Sequence, residues 1–136
     1  MKTSQFPKFP NCFVCGQEND HGLHTHWQSE DEKVTSQITT SDWMAGYEDV
    51  VHGGIISSVL DEAVIWASYA ATGLFGVTAE LNVRFLKPVH IGQTYIIQAW
   101  LTEQKGRIHI AEAILLNSTQ KIMARATAKI LPIKKT

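Results

Sequence analysis

The chain has 136 residues, 12 Lys and Arg against 13 Asp and Glu, a net charge of −1 and a hydrophobic share of 44 %. One domain with a real core fits this length and apolar content, which exclude disorder and collagen-like architecture. With no basic run longer than Lys134-Lys135, a phosphate-tracking stripe for nucleic acid is excluded as well.

Charged residues make up 18 % of the chain, below the globular share of about 25 %, so a partner or second copy is expected to cover some surface. Met1 to Pro7 hold no apolar signal-peptide core. Ile55 to Phe75 is apolar and long enough to suggest a membrane span, but Asp61 and Glu62 stand side by side in its middle, where each is costly at bilayer depth. Two cysteines, Cys12 and Cys15, are too few and too close for a secreted disulfide scaffold. The expectation is a soluble, cytoplasmic chain with no membrane and no nucleic-acid partner.

In chain order, residues 1–20 carry Pro7, Pro10 and the C-x-x-C pair and read as an irregular segment, followed by a single domain over 21–136. His21 to Gln28 and Lys33 to Thr40 read as two short strands, the second alternating through Val34, Ser36, Ile38 and Thr40, with Ser29 to Glu32 as a charged turn between them. Gly53-Gly54 to Thr72 predicts a helix of about five turns. It is apolar nearly all round, with a narrow polar stripe of Ser57, Asp61, Ser68 and Thr72, so it must be enclosed by protein. Gly73 and Gly76 punctuate its end. The period then changes to β: Val77 to Phe85, then strands near 93–102, 107–116 and 121–131, separated by good turn chemistry. Four successive strands predict an antiparallel meander. The fold class expected is α+β, one long central helix wrapped by a curved antiparallel sheet.

The chemistry concentrates in His52-Gly53-Gly54 at the helix start, with Asp61 nine residues after His52. Glycines there expose backbone N–H groups whose partial positive charge suits a developing oxyanion. A carboxylate on the polar stripe of a buried helix is a candidate base or nucleophile. Asp61 lies seven residues beyond Gly54, on the same helix face but roughly 10 Å along the axis. One carbonyl cannot bridge that distance. If both groups act on one substrate, the carboxylate and the N–H come from different subunits across a two-fold.

These residues, with Gly46-Tyr47 before them and Glu80-Leu81-Asn82-Val83-Arg84-Phe85-Leu86-Lys87-Pro88-Val89 after, resemble the hotdog-fold acyl-CoA thioesterases of the phenylacetate-pathway type. The prefix Cys12-Phe13-Val14-Cys15-Gly16, with Asn19 and Gly22-Leu23, is similar to one branch of that superfamily. The resemblance spans about residues 12–131. It implies hydrolysis of acyl-CoA to acid and CoA without a cofactor, in a homodimer or homotetramer whose sheets join. It also implies Asp61 as base or nucleophile, and Gly53 or Gly54 as the N–H donor. Relatives with an Asn or Gln upstream of the motif have no counterpart here, since Ala45 to Asp49 offer no amide. The superfamily also covers dehydratases and hydratases, which would use His52 with a carboxylate, and acyl-CoA-binding modules; fold alone does not separate them.

His52 is read as fixing the glycine turn beside the catalytic groups, Glu62, Ser57, Asn82 and Arg84 as substrate-binding, and Ser58 as bonding within the helix. Arg84, Lys87, Lys105 and Arg107 are candidates for the CoA phosphates, and the four tryptophans for core or interface. Cys12 and Cys15, with His21, His24 and His26, resemble half a zinc knuckle, but the histidines follow no finger spacing. The reading adopted is two reduced packing thiols and no metal. Metal is expected to be dispensable for the chemistry.

Overall fold

Gly53–Thr72 forms one helix, α1, which buries Ile56, Val59, Leu60, Ala63, Val64, Trp66, Ala67 and Ser68. This computed structural model describes residues 6–133; the start of the leader reading (Met1 to Gln5) and the Lys134-Lys135 pair lie outside them. The helix ends at Gly73, whose φ of 75° closes the last turn through its N–H to the Tyr69 carbonyl. Among the described residues no helix is long and apolar enough to cross a membrane.

Six antiparallel strands make one sheet: β1 (Gln28–Glu30), β2 (Lys33–Thr39), β3 (Gly76–Phe85), β4 (Thr94–Lys105), β5 (Ile108–Leu116) and β6 (Ile122–Pro132). Their spatial order is β1-β2-β4-β5-β6-β3. Each inner strand alternates as a half-buried strand must, with Val34, Ile38, Tyr95, Ile97, Leu115 and Ile130 facing the helix. In the middle of that face alanines pair across strands, Ala99 with Ala113, Ala113 with Ala126 and Ala111 with Ala128. All five are buried. Their small side chains let the helix lie close to the sheet without voids. The α+β architecture, one long helix packed on an antiparallel sheet, is the expected one.

Three features differ from expectation. The first strand is short, because His24 takes a φ of 53° that no strand residue holds; extension begins only at Gln28, and the reversal sits at Asp31, φ 55°. The meander contains β4, β5 and β6 alone, since β3 pairs with β6 and not with β4. The Leu86–Gln93 connection therefore runs from the β3 edge, past β6 and β5, to the interior strand β4. On the way it passes the start of α1, where the Val51 N–H bonds the Val89 carbonyl at 2.8 Å. Third, the described residues before 21 hold no helix or strand, as read from the sequence, but they pack on the domain. Val14 is buried in the common core, and the Phe6 and Phe9 rings lie 4.9 and 6.2 Å from the Trp66 ring. The helix is thus covered by the sheet on one side and by this segment on another.

Candidate active site

His52 caps α1 from outside, with φ −59° and ψ 135°. Its Nδ1 accepts the Gly54 N–H at 2.8 Å, which in a neutral ring places the proton on Nε2. This contact explains the second glycine: a Cβ at Gly54 would stand 3.0 Å from His52 Nδ1. No such crowding explains the first, where a Cβ would meet only the Phe85 ring at an ordinary 3.4 Å. Among the described residues, the Gly53 N–H has no acceptor, as expected for the first residue of a helix. The two glycines thus differ: Gly54 spends its N–H on the histidine cap, and Gly53 keeps its own.

Gly53 opens onto a cleft of about 670 Å³. The loop before the helix forms one wall through Gly46, Tyr47, Val50 and Val51; the crossing segment Phe85–Val89 forms the other. Most of this lining is apolar, and Lys87 is the one Lys or Arg in it, beside His52. The loop is held in shape by Gly46 N–H to the Val50 carbonyl and His52 N–H to the Met44 carbonyl, each 2.8 Å. Tyr47 and Phe85 are 86 % and 52 % exposed at its rim. Large apolar groups left this open at a cleft mouth are surface for a ligand or a second chain.

Asp61 lies elsewhere in the chain's own fold. Its half-buried carboxylate accepts the Thr78 hydroxyl at 2.6 Å, a short charge-assisted bond that orients it. Thr78 is on edge strand β3, next to the register shift between Thr78 and Glu80, and such bulges re-aim side chains. Asp61 does not line the Gly53 cleft. Nothing in the linear sequence singled out Thr78, because its link to Asp61 depends on where β3 crosses the helix.

Glu62, read as substrate-binding, turns from the cleft to the N-terminal segment. Its Oε2 accepts the Trp66 Nε1–H at 2.7 Å, and the Cys12 thiol lies 3.7 Å from Oε1. Burial first, then the Glu62 carboxylate and Cys12, push the Cys15 thiol far above its ordinary value. Ser58 bonds back to the Gly54 carbonyl at 2.8 Å, and Ser68 shares a buried 2.8 Å bond with His109. Ser57 sits half-buried on α1, whereas Asn82 and Arg84 are exposed on β3, cross-strand from Thr127 and Arg125. None of these three lines the cleft. Of the four basic candidates, Lys87 alone reaches it; Lys105 pairs with Glu103 at 3.9 Å at the far hairpin. His21, His24 and His26 are exposed, and none joins the two cysteines.

A family model described as the thioesterase superfamily matches residues 48–124. That stretch is more than half of the chain and includes the His-Gly-Gly turn, α1 and most of the sheet. The chain belongs to that superfamily, with the hotdog-like α+β fold that its sequence resembles. Among solved structures it is similar to the Escherichia coli PaaI protein of the phenylacetic acid degradation operon, with 25 % identity and a TM-score of 0.78 over 88 % of this chain and 89 % of that one. It is also similar to a Streptococcus mutans protein solved with acetyl-CoA, at 21 % identity and TM-score 0.74 over 82 % and 90 %. Curated relatives include an uncharacterized Schizosaccharomyces pombe protein, 35 % identical over half of this chain and 39 % of that one. Another is the MIOREX complex component 3 of Saccharomyces cerevisiae, 33 % identical over 55 % of this chain and 28 % of that one. The chain spans half or less of the length of the curated relatives it matches.

Proposed function

We propose that this chain hydrolyses acyl-CoA thioesters to free acid and CoA, in sites shared between two copies. The observation that carries the reading is the division of labour at the helix start: Gly53, whose N–H has no acceptor among the described residues, lines a largely apolar cleft. Membership of the thioesterase superfamily supports the reaction class, and the acetyl-CoA held by the S. mutans protein supports the substrate class. In this scheme the acyl group enters the cleft and the Gly53 N–H polarises the thioester carbonyl. The partner copy's carboxylate at the Asp61 position removes a proton from water, whose oxygen attacks the carbonyl carbon. The tetrahedral oxyanion forms at the Gly53 N–H, where a preorganised donor is worth most. Collapse breaks the C–S bond, and the proton held by the carboxylate passes to the departing CoA sulfur. In the same scheme Lys87, which lines the cleft, meets a CoA phosphate.

Two copies are required because the carboxylate and the free N–H are eight residues apart on one helix, about 12 Å of rise. Edge strand β3 is hydrogen-bonded to β6 alone in the sheet, and its free edge is suited to pair with a second β3. The dehydratase reading is less well supported, since His52 Nδ1, the nitrogen a base would use, is occupied by Gly54.

The test is a thiol-release screen across short-chain, long-chain and aromatic acyl-CoA esters, run beside an absorbance assay on enoyl-CoA. Free CoA released with one equivalent of acid is the expected result. Hydration of enoyl-CoA without thiol release would replace this reading with the dehydratase one; binding without turnover would leave an acyl-CoA-binding module.

A further inference from the structure

A cluster none of whose residues lines the cleft is not used in hydrolysis. Cys12, Cys15 and Glu62 each present one ligand atom, and these atoms lie within 4.8 Å of one another, all half-buried. The C-x-x-C turn that presents the sulfurs is tightly built. The Cys15 N–H points to Cys12 Sγ at 3.4 Å, and the Gly16 N–H bonds the Cys12 carbonyl at 2.9 Å. At Gly16 a Cβ would collide with the backbone of Pro10 and Cys12, so the turn admits glycine alone. The third group comes from the helix, fifty residues on, and is itself oriented by the Trp66 indole.

We propose that Cys12, Cys15 and Glu62 bind a thiophilic divalent cation of the zinc class, which fastens the N-terminal segment to α1 one residue past Asp61. Zinc takes sulfur at about 2.3 Å and carboxylate oxygen at about 2.0 Å in a tetrahedron. The edges of that tetrahedron are about 3.5 to 3.8 Å. Cys12 Sγ stands 3.7 and 3.8 Å from the two Glu62 oxygens, within about 0.3 Å of the S···O edge of about 3.5 Å. Two thiols and a carboxylate converge here, and among the described residues no basic side chain pairs with Glu62. Each of two ligands has the outer hydrogen bond that metal sites use for orientation: Trp66 Nε1–H to Glu62, and the Cys15 N–H to Cys12. Cys15 also lines a second cavity of about 720 Å³, so a water from that side can complete the tetrahedron. In place of His21, His24 or His26, the third ligand is a carboxylate that lies far away in the chain.

Purification of the whole chain under a non-chelating reductant, after growth with zinc, tests this through metal content by mass spectrometry and Co²⁺ titration by absorbance. The expected results are about one zinc per chain and a thiolate-to-cobalt charge-transfer band. Cys12→Ser/Cys15→Ser should remove both. Glu62→Gln should weaken the affinity at least about 10-fold. Trp66→Phe keeps an aromatic ring in the packing but deletes the indole N–H, and should weaken affinity about 10-fold. A reduced, folded chain without zinc and without the cobalt band overturns the proposal, as does zinc retained unchanged in the double variant. If the double variant does not fold, the cobalt spectrum of the unmutated chain decides alone.

Discussion

Asp61 and Glu62 are neighbours on α1, and a 100° turn of the helix sends them to different tasks. Asp61 meets Thr78 of β3, whereas Glu62 meets Trp66 and the thiols. Replacing Asp61 by Asn keeps size and removes the basic oxygen, so kcat should fall roughly 10²-fold or more with KM little changed. Steady-state kinetics on a folded Asp61→Asn protein checks this; Glu62→Gln should lower kcat far less. The N–H donor can be removed separately. Gly53 is the first helical residue, where Pro is tolerated because no intrahelical bond is lost. The preceding His52 already has the extended ψ that a following Pro demands. Gly53→Pro should therefore fold and lose about 10²- to 10³-fold in kcat. Gly53→Ala, which adds a carbon but keeps the N–H, is the control for bulk and should lose much less. Equal losses in the two would assign the effect to steric filling of the cleft.

At the level of elements, the helix and the later strands were legible because period and punctuation agree there. The apolar run from Ile55, the Gly73 stop and the alternation from Val77 onward all point one way. What escaped was long-range placement. Nothing local in Leu86 to Gln93 shows that it crosses the sheet, yet that crossing puts Phe85, Leu86 and Lys87 into the cleft. The polar stripe was visible, but not that Ser68 belongs to the core with His109 while Asp61 serves β3. Choosing between Gly53 and Gly54 likewise required the His52 ring in place. Gly16→Ala forces a Cβ into the backbone of Pro10 and Cys12 and should destabilise by about 1–3 kcal/mol. Thermal unfolding checks it: an unchanged Tm would show that the turn opens freely. Chelation should likewise lower Tm, while turnover measured below the transition persists, because the Gly53 N–H and Asp61 need no Lewis acid.

At the scale of the whole molecule, the proposed shared site requires more than one chain. The proposed second copy would meet a half-buried helix, an edge strand paired on one side, and exposed Tyr47, Phe85 and Leu86. Light scattering should give a dimer or a tetramer, and full activity in a monomer would end the shared-site scheme. Subunit complementation tests that scheme most directly. Asp61→Asn keeps its own Gly53 N–H, and Gly53→Pro keeps its own carboxylate, so each variant alone has two defective sites per dimer. Co-refolded or co-expressed in equal amounts, half of the dimers are mixed, and each mixed dimer has one site built wholly from intact groups. The predicted result is recovery to roughly a quarter of the unmutated rate, from two nearly inactive proteins. Mixed dimers confirmed by differential tagging that stay as inactive as the parents would contradict it.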